Sequence, residues 1–140
     1  MFKKNPAKKS DLLDVILAFL VAFVIYQGAA FALNTDMPIV AVVSDSMVPT
    51  LNRGDLVVAS GGDINVGDII IYSGPRSYPI IHRVVGVENE SGITGYITKG
   101  DNNPSEDPWI VTRDEIHGKL LFWVPFLGYP RVLLHDLIGI

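Results

Sequence analysis

The sequence contains no cysteine, which excludes disulfide bonds, thiolate zinc sites and a cysteine nucleophile. It has only three histidines, His82, His117 and His135, and no two of them lie three or four residues apart. A zinc site is therefore not expected, and no cofactor is expected either. Basic residues are also scarce, with 11 Lys and Arg against 15 Asp and Glu. The resulting net charge of −4 argues against nucleic acid as a partner.

The charge that is present is unevenly distributed. Residues 1–11 carry four lysines and one aspartate, a net charge of +3, and the rest of the chain carries −7. After this basic tail, residues 15–33 contain Gln27 as their only strongly polar side chain. Such a helix spans roughly 28 Å, close to the thickness of the hydrocarbon core of a bilayer. We therefore expect a transmembrane anchor over residues 12–34, with the basic tail in the cytoplasm and the remainder outside.

Two other interpretations of the apolar segment are open. One is a buried core helix, although a helix that is apolar on every side is better suited to lipid. The other is a cleaved signal peptide, because Ala30, Phe31 and Ala32 have the small-x-small pattern of a cleavage site. The hydrophobic regions of signal peptides usually run about 7–15 residues. The longer run in this chain favours an uncleaved anchor.

Short apolar runs separated by Gly, Asp and Asn occupy residues 37–126. These runs predict β-strands at residues 56–59, 69–72, 80–87, 96–98 and 119–123. No amphipathic helical pattern separates them, so the expected fold class is mainly β. We expect one antiparallel β domain over residues 37–126, behind one N-terminal transmembrane helix. A chain of 140 residues has room for one such domain.

The C-terminal segment, residues 127–140, is again apolar. Proline and glycine residues at its start prevent it from joining the preceding run as one spanning helix. In one arrangement the segment lies at the membrane interface, where Trp123 and Tyr129 are typical residues. In the other it forms a short helix that packs on the body after the last strand.

Two serines, Ser44 and Ser46, follow the apolar run of residues 38–43, and Pro49 prevents a helix from continuing there. The ordinary interpretation is a Ser/Pro turn between two strands. A serine becomes a nucleophile only where a base accepts its proton. His82 is the best candidate for that base, because it lies inside a predicted strand that would hold its side chain in a fixed direction.

The other two histidines are expected to be less suitable as bases. His117 lies among charged residues and His135 lies in the C-terminal segment, so both are expected to be surface histidines. An imidazole base also needs a carboxylate that orients it. Three acids follow the strand predicted at residues 96–98: Asp101, Glu106 and Asp107. Their loop superficially resembles the start of an EF-hand, but it lacks the glycine and the last glutamate of that motif, so calcium is not expected.

Five motifs of the chain closely resemble the sequence blocks of type I signal peptidases, in the archaeal and endoplasmic-reticulum branch. In chain order they are Ser-x-Ser-Met-x-Pro-Thr, Arg-Gly-Asp-Leu-Val, Gly-Asp-Ile-Ile-Ile-Tyr, Ile-His-Arg-Val-Val and Lys-Gly-Asp-Asn-Asn. The resemblance extends from the anchor to about residue 126. It implies a membrane-bound serine endopeptidase that removes N-terminal signal peptides from exported preproteins.

The resemblance also implies a role for each candidate site residue. Ser46 would be the nucleophile, His82 the general base, and Asp107 the carboxylate that orients the histidine. Asp101 would be a second important acid of the site. The Ser44 hydroxyl would help the backbone N–H of Ser46 to hold the oxyanion.

The chain departs from the family pattern in two places. Asp45 stands where glycine is commoner, and its side chain can point to solvent. Residues 104–106 before Asp107 are unusual for the family. The choice of orienting acid is therefore open among Asp101, Glu106 and Asp107.

The distance from anchor to nucleophile sets the surroundings of the site. The anchor ends about a dozen residues before Ser46, so the site is expected near the outer membrane surface. There an extended precursor would pair with a strand edge near residues 39–43. We expect Val42, Val43 and Ile81 to line shallow apolar pockets that admit small side chains.

The expected partners are preproteins that carry signal peptides, membrane lipid, and accessory subunits or a translocon. The expected location is the cell membrane or the endoplasmic reticulum membrane. A competing hypothesis is a membrane-anchored β domain that binds extracytoplasmic peptides without cleaving them. It explains the anchor and the apolar edges, but it gives no reason for Ser46, His82 and Asp107 to occur together.

Overall fold

The computed structural model describes residues 9–139 as an N-terminal helix, a seven-stranded sheet and a C-terminal helix. The elements are α1 (Lys9–Ala32), β1 (Ile39–Ala41), β2 (Leu56–Ser60), β3 (Ile69–Tyr72), β4 (Ile80–Glu90), β5 (Ile93–Lys99), β6 (Ile110–Thr112), β7 (Ile116–Val124) and α2 (Tyr129–Ile138). A short 3-10 helix, Arg113–Glu115, joins β6 to β7. Residues 1–8 of the predicted basic tail lie outside the described residues.

α1 has the length and composition of a membrane span. Its residues Asp11–Ala32 form a stretch of 22 residues, and the apolar part of that stretch is not buried against the rest of the protein. At about 1.5 Å per residue such a helix is long enough for the hydrocarbon core of a bilayer. This exposure argues against the alternative of a buried core helix.

The seven strands form one sheet in the order β1-β2-β7-β3-β4-β5-β6, and all six pairings are antiparallel. The predicted fold class, mainly β with one N-terminal apolar helix, is thereby confirmed. Several strands are longer than predicted, and β6 was not predicted. β6 has only three residues, which is too short for an alternating pattern to stand out in the sequence.

The β4–β5 hairpin shows how local sequence sets the register of the sheet. Glu90 pairs with Ile93, so Ser91 and Gly92 form a two-residue turn. Both turn residues have positive φ, 53° and 84°. This geometry is that of the tight turn whose twist matches two paired strands. The turn therefore aligns β5 with β4, the strand that contains His82.

β3 lies at the centre of the core, and all four of its side chains are buried. Ile69 and Ile71 pack into one apolar cluster, while Ile70 and Tyr72 pack into a second cluster. Successive strand residues point to opposite faces, so a strand covered on both faces needs a continuous apolar run. β3 therefore provides a rigid base for β4, and Ile70 pairs directly with His82.

α2 follows β7 after a short turn and packs on the body of the protein. Its Val132 side chain is buried, and the Gly128 N–H at its start donates to the Gly54 carbonyl at 2.8 Å. An ion pair between Arg53 and Asp136 holds it further. Of the two predicted arrangements, the short packed helix is present. The other apolar side chains of α2 are exposed: Leu133, Leu134, Leu137 and Ile138.

Candidate active site

The turn that carries Ser46 is held on both sides. Before the turn, the Val42 N–H donates to the Asp55 carbonyl at 2.9 Å, and after it the Leu51 N–H donates to the Met47 carbonyl at 3.0 Å. The Met47 side chain is fully buried in the apolar cluster beneath the turn. Packing of this kind holds the neighbouring Ser46 hydroxyl in a defined position, as a nucleophile requires.

Ser46, His82 and Asp107 form a hydrogen-bonded chain of the type that activates a serine. Ser46 Oγ lies 3.1 Å from His82 Nε2, and His82 Nδ1 lies 2.7 Å from Asp107 Oδ2. The side chains of His82 and Asp107 are only 8% and 7% exposed, so little water competes for their hydrogen bond. The arrangement allows His82 to accept the Ser46 proton while Asp107 orients the imidazole.

The loop that carries Asp107 is docked directly on the Ser46 turn. The Asn102 N–H donates to the Ser46 carbonyl at 2.8 Å, and the Asp107 N–H donates to the Thr98 carbonyl at 2.8 Å. Gly100 makes this approach possible, because a Cβ there would lie 2.6 Å from the Ser46 carbonyl oxygen. The loop and the turn are therefore held together by backbone contacts.

The other two acids of this loop lie elsewhere. Glu106 is exposed. Asp101 faces Arg83, whose Nε and Nη2 donate to its two carboxylate oxygens at 2.9 and 2.6 Å, and it accepts a hydrogen bond from Thr50 Oγ1 at 2.6 Å. The hydrogen bonds from Arg83 lower the pKa of the Asp101 carboxyl, which stays ionised. Asp101 thus joins β4 to the segment that follows Ser46.

Two residues that the sequence analysis did not single out contact the Asp107 carboxylate. Thr98 Oγ1 and Tyr72 OH donate to its Oδ2 at 2.6 and 3.0 Å. Both side chains are completely buried, and burial raises the pKa of the Tyr72 phenol, which therefore remains a donor. The sequence offered one signal for these two residues. Tyr72 and Thr98 each carry a hydroxyl group and each lie in a predicted strand, residues 69–72 and 96–98.

Ser44 lies next to the candidate nucleophile. Its Oγ is 3.2 Å from Ser46 Oγ, and either hydroxyl can be the donor in this contact. The pair is exposed at the mouth of the site. A hydroxyl in this place is within reach of a group that becomes bonded to Ser46 Oγ.

A cleft of about 230 Å³ opens over the site and is lined by Ser46, His82 and Asp107. The three residues predicted to bind substrate all line it: Val42, Val43 and Ile81. Val42 and Ile81 are also buried members of the core cluster, so they form an apolar floor. The cleft is therefore apolar on the side where small substrate side chains were expected.

A second groove, of about 380 Å³, continues from the cleft towards the two helices. It shares Val43, Tyr78 and Pro79 with the cleft, and it is also lined by Tyr26 of α1 and His135 of α2. The second groove thus adjoins the cleft and reaches the C-terminal half of α1.

His117 takes part in a second Ser–His–Asp arrangement. Its Nε2 lies 2.8 Å from Ser73 Oγ, and its Nδ1 lies 2.8 Å from Asp36 Oδ2. The His117 side chain is 16% exposed, so it is a partly buried histidine with two hydrogen-bond partners. None of these three residues lines the cleft or the adjoining groove. The cleft, rather than Ser–His–Asp geometry by itself, therefore distinguishes the candidate active site.

His135 lies on α2 beside the second groove. Its ring packs edge-on against Tyr78, with 5.7 Å between ring centroids, and its Nδ1 lies 3.4 Å from Asp136 Oδ1. It is thus a packing residue near the substrate cleft. Among residues 9–139, no three His, Asp or Glu side chains are grouped so that they could hold a metal ion.

Comparison with known proteins gives matches over most of the chain. The profile of the family described as "Signal peptidase, peptidase S26" matches residues 12–91. The chain is 32% identical, over an alignment of 145 positions including gaps, to the signal peptidase complex catalytic subunit SEC11 of Pyricularia oryzae. This alignment covers 94% of this chain and 84% of that protein. The chain is 33% identical, with the same coverage, to SEC11 of Colletotrichum graminicola. SEC11 of Sclerotinia sclerotiorum is 31% identical, over 96% of this chain and 86% of that protein.

These matches confirm the family that the five motifs resemble. The matched family is a peptidase family, so the prediction of a hydrolase is confirmed, against the hypothesis of a β domain that only binds peptides. The family profile covers most of α1 and the part of the chain that contains Ser46 and His82. The chain belongs to the signal peptidase family, peptidase S26.

Proposed function

We propose that this signal peptidase is a membrane-anchored serine endopeptidase with Ser46 as nucleophile, His82 as general base and Asp107 as the acid that orients the histidine. The hydrogen-bonded chain from Ser46 Oγ through His82 to Asp107, at a cleft with an apolar floor, carries this assignment. The proposed substrates are preproteins with N-terminal signal peptides, which the family and the SEC11 relatives support.

In the proposed mechanism, His82 Nε2 accepts the Ser46 proton as Ser46 Oγ attacks the carbonyl carbon of the scissile peptide bond. Asp107 accepts the hydrogen bond from Nδ1–H, which fixes the tautomer and stabilises the imidazolium. The imidazolium then gives its proton to the leaving amine, and the mature chain departs. His82 then takes a proton from water as the water oxygen attacks the acyl carbon, and it returns that proton to Ser46 Oγ as the ester bond breaks and the signal peptide leaves.

The negative oxygen that forms during attack needs hydrogen-bond donors. We assign the backbone N–H of Ser46 and the hydroxyl of Ser44 to this role. The support is the 3.2 Å distance between Ser44 Oγ and Ser46 Oγ, which places the Ser44 hydroxyl beside the bond that forms. Loss of one such donor typically reduces kcat by about 10²–10³-fold.

The substrate is proposed to bind as an extended strand along β1. β1 is at one end of the sheet order, so its outer edge is not paired with another strand of the sheet. An exposed edge can accept an extended peptide through main-chain hydrogen bonds. The apolar floor formed by Val42 and Ile81, with Val43 at the side, would then accept small side chains close to the scissile bond.

Asp101 is proposed to support the site without touching the reacting atoms. It bonds Arg83, the residue after His82, and Thr50, four residues after Ser46. Asp101 thus bridges these two segments, with an ion pair to Arg83 and a hydrogen bond from Thr50, and fixes the distance between the nucleophile turn and the strand that holds the base.

We propose that α1 is an uncleaved anchor, with residues 1–11 in the cytoplasm and residues 37–126 outside, in the cell membrane or the endoplasmic reticulum membrane. The linker after α1 is fixed to the sheet, since the Gly61 N–H donates to the Leu33 carbonyl and Thr35 Oγ1 donates to the His117 carbonyl. β1 therefore begins close to the end of the span. A cleavage site that emerges from the bilayer would meet the cleft directly.

The C-terminal segment, residues 127–140, is proposed to contact the same membrane. The second groove is lined by Tyr26 of α1 and by His135 of α2, so α2 lies beside the outer part of the proposed span. The exposed leucines of α2, and the exposed Phe126 and Leu127 before it, would then lie where the bilayer meets water. Burial of such side chains in the interface is favourable.

Further proteins are proposed as partners of the chain. The SEC11 relatives are named as catalytic subunits of a signal peptidase complex. We propose that this chain also works with accessory subunits, next to the translocon that delivers its substrates. Membrane lipid is the remaining proposed partner.

The assignment is tested by cleavage of a reporter preprotein in detergent by the wild-type chain, Ser46→Ala and His82→Ala. Ser73→Ala is the matched control, because Ser73 is a serine with the same kind of histidine partner outside the cleft. We expect both site variants to lose activity and the control to keep it. Retained cleavage in Ser46→Ala would contradict the proposal.

A further inference from the structure

A single oxygen atom of Asp107 lies within hydrogen-bonding distance of three side chains. Oδ2 is 2.7 Å from His82 Nδ1, 2.6 Å from Thr98 Oγ1 and 3.0 Å from Tyr72 OH. Only one of these groups, His82, belongs to the proposed catalytic chain. The other two belong to β3 and β5, on either side of β4 in the sheet.

The two hydroxyl groups are placed so that their protons point to the carboxylate. Trp109 Nε1 lies 3.4 Å from Tyr72 OH, and since an indole N–H can only donate, it does not compete with Asp107 for the phenol proton. Tyr72 OH also lies 3.2 Å from Thr98 Oγ1, so the two hydroxyls contact each other as well as Asp107. Thr98 is fixed by its own backbone, because its carbonyl accepts the Asp107 N–H at 2.8 Å. Tyr72 and Thr98 are both completely buried, so water does not compete with them for the carboxylate.

We propose that Tyr72 and Thr98 are positioning residues for the cleavage reaction, acting through Asp107; this inference rests on the proposed function of Ser46, His82 and Asp107. A buried carboxylate that is withdrawn from water needs other donors. The two hydroxyls supply them and hold Oδ2 in the one place from which it orients His82. With Asp107 fixed, the His82 ring presents Nε2 to Ser46 Oγ.

This role predicts a particular pattern of kinetic change. The two hydroxyls touch no substrate, so their loss should act on the chemical step and leave substrate binding unchanged. Loss of the hydrogen-bond partner that orients a metal-ligating histidine typically costs about 10–100-fold in activity, and we expect an effect of the same order for the partners that hold Asp107. The expected effect is therefore a fall in kcat with little change in KM.

The test uses the full chain in detergent with a reporter preprotein. Thr98→Val removes the hydroxyl with little change of shape, Thr98→Ser keeps it, and Tyr72→Phe removes the phenol oxygen. Tyr96→Phe is the control, since Tyr96 is a buried tyrosine of the same core cluster. We expect Thr98→Val and Tyr72→Phe each to lower kcat about 10–100-fold, with KM unchanged, and Thr98→Ser and Tyr96→Phe to stay near the wild-type value.

Asp107→Asn and His82→Ala, assayed in parallel, separate the two levels of the argument. If Asp107→Asn and His82→Ala abolish cleavage while Thr98→Val and Tyr72→Phe keep the wild-type kcat, the positioning role is wrong and the proposed catalytic chain stands. If Asp107→Asn and His82→Ala retain cleavage, the proposed function itself fails. A rise in KM with an unchanged kcat would also overturn the positioning role. Should Thr98→Val not fold, as judged by thermal unfolding, Tyr72→Phe against Tyr96→Phe decides alone.

Discussion

The Arg83 guanidinium donates hydrogen bonds of 2.9 and 2.6 Å to the two oxygens of the Asp101 carboxylate. Arg83 directly follows His82 on β4, and Asp101 lies at the start of the loop that carries Asp107. Two successive residues of one strand therefore each bind an acid of the same loop. The contact between His82 and Asp107 belongs to the proposed chemistry, and the contact between Arg83 and Asp101 holds the loop next to it.

The first prediction concerns the stability that this pair provides. We expect Asp101→Asn to lower the free energy of unfolding by about 1–3 kcal/mol, because Arg83 loses a charged acceptor. Hydrogen bonds from Arg83 lower the pKa of Asp101 in the folded chain. The stabilisation is thus fully present above the unfolded-state pKa of about 4 and is lost as pH falls through the lower folded-state value.

Denaturant unfolding of the wild-type chain and of Asp101→Asn in detergent, at neutral and at acid pH, checks this expectation. The difference in free energy of unfolding should be largest at neutral pH and should shrink in acid. A difference that does not change with pH would show that the charge of Asp101 is not what stabilises the fold.

The sequence predicted the elements with strong local signals. The apolar segment of α1, the four-residue run of β3 and the strand that contains His82 are recognisable because one stretch of residues determines each of them. β6 could not be predicted, because its three residues take their conformation from pairing with β5. The same holds for the arrangement of β7 between β2 and β3, which depends on contacts far apart in the chain.

The candidate site was predictable only in part. Ser46 and His82 follow from motifs, but the sequence left Asp101, Glu106 and Asp107 as alternatives, since a loop sequence does not say which carboxylate faces inward. The hydrogen-bond partners of His117 could not be predicted from the sequence either. Its partners, Ser73 and Asp36, lie 44 and 81 residues away, and no local pattern connects them.

The second prediction compares the two Ser–His–Asp arrangements directly. We expect Asp107→Asn to lower kcat by on the order of 10⁴-fold, as loss of the orienting acid does in serine proteases. Asp36→Asn should leave kcat near the wild-type value, because Asp36 lines neither the cleft nor the second groove. Both variants exchange a carboxylate that is hydrogen-bonded to a histidine for an amide. Their cleavage rates on the reporter preprotein therefore compare a Ser–His–Asp arrangement at the cleft with one outside it.

Glu106→Gln completes this comparison, because Glu106 is the acid of the loop that the structure leaves exposed. Its kcat should match that of the wild-type chain. Loss of cleavage in Glu106→Gln, with Asp107→Asn active, would move the orienting role from Asp107 to Glu106.

The third prediction tests the proposed pairing of substrate with β1. The Val42 N–H donates to the Asp55 carbonyl, and the Pro38 carbonyl accepts from the Ala59 N–H. The backbone polar groups of residues 38, 40 and 42 therefore point towards β2. By the alternation of an antiparallel pair, Ala41 directs its N–H to the free edge. Ala41→Pro removes that donor without removing a donor from the β1–β2 ladder. We expect kcat/KM to fall about tenfold, as for one lost hydrogen bond.

A substrate with a methylene group in place of one backbone carbonyl provides the control, because the Ala41 N–H needs a carbonyl oxygen as its acceptor. If Ala41 donates to that carbonyl, the loss from the missing carbonyl and the loss from Ala41→Pro should not add in a double-mutant cycle. Fully additive losses over all carbonyl positions tested would contradict pairing at Ala41. Thermal unfolding of the variant verifies that the sheet itself is intact.

The fourth prediction concerns the C-terminal helix, and the absence of cysteine makes it simple to test. A single introduced cysteine, Leu137→Cys on α2, can carry a spin label, with Ile93→Cys at the start of β5 as the matched exposed control. In lipid nanodiscs we expect the label at position 137 to collide more with oxygen, which concentrates in lipid, than with a water-soluble nickel complex. The label at position 93 should show the opposite preference. Equal access of the nickel complex to both labels would mean that α2 faces water, and the apolar side chains of the segment would then need another partner.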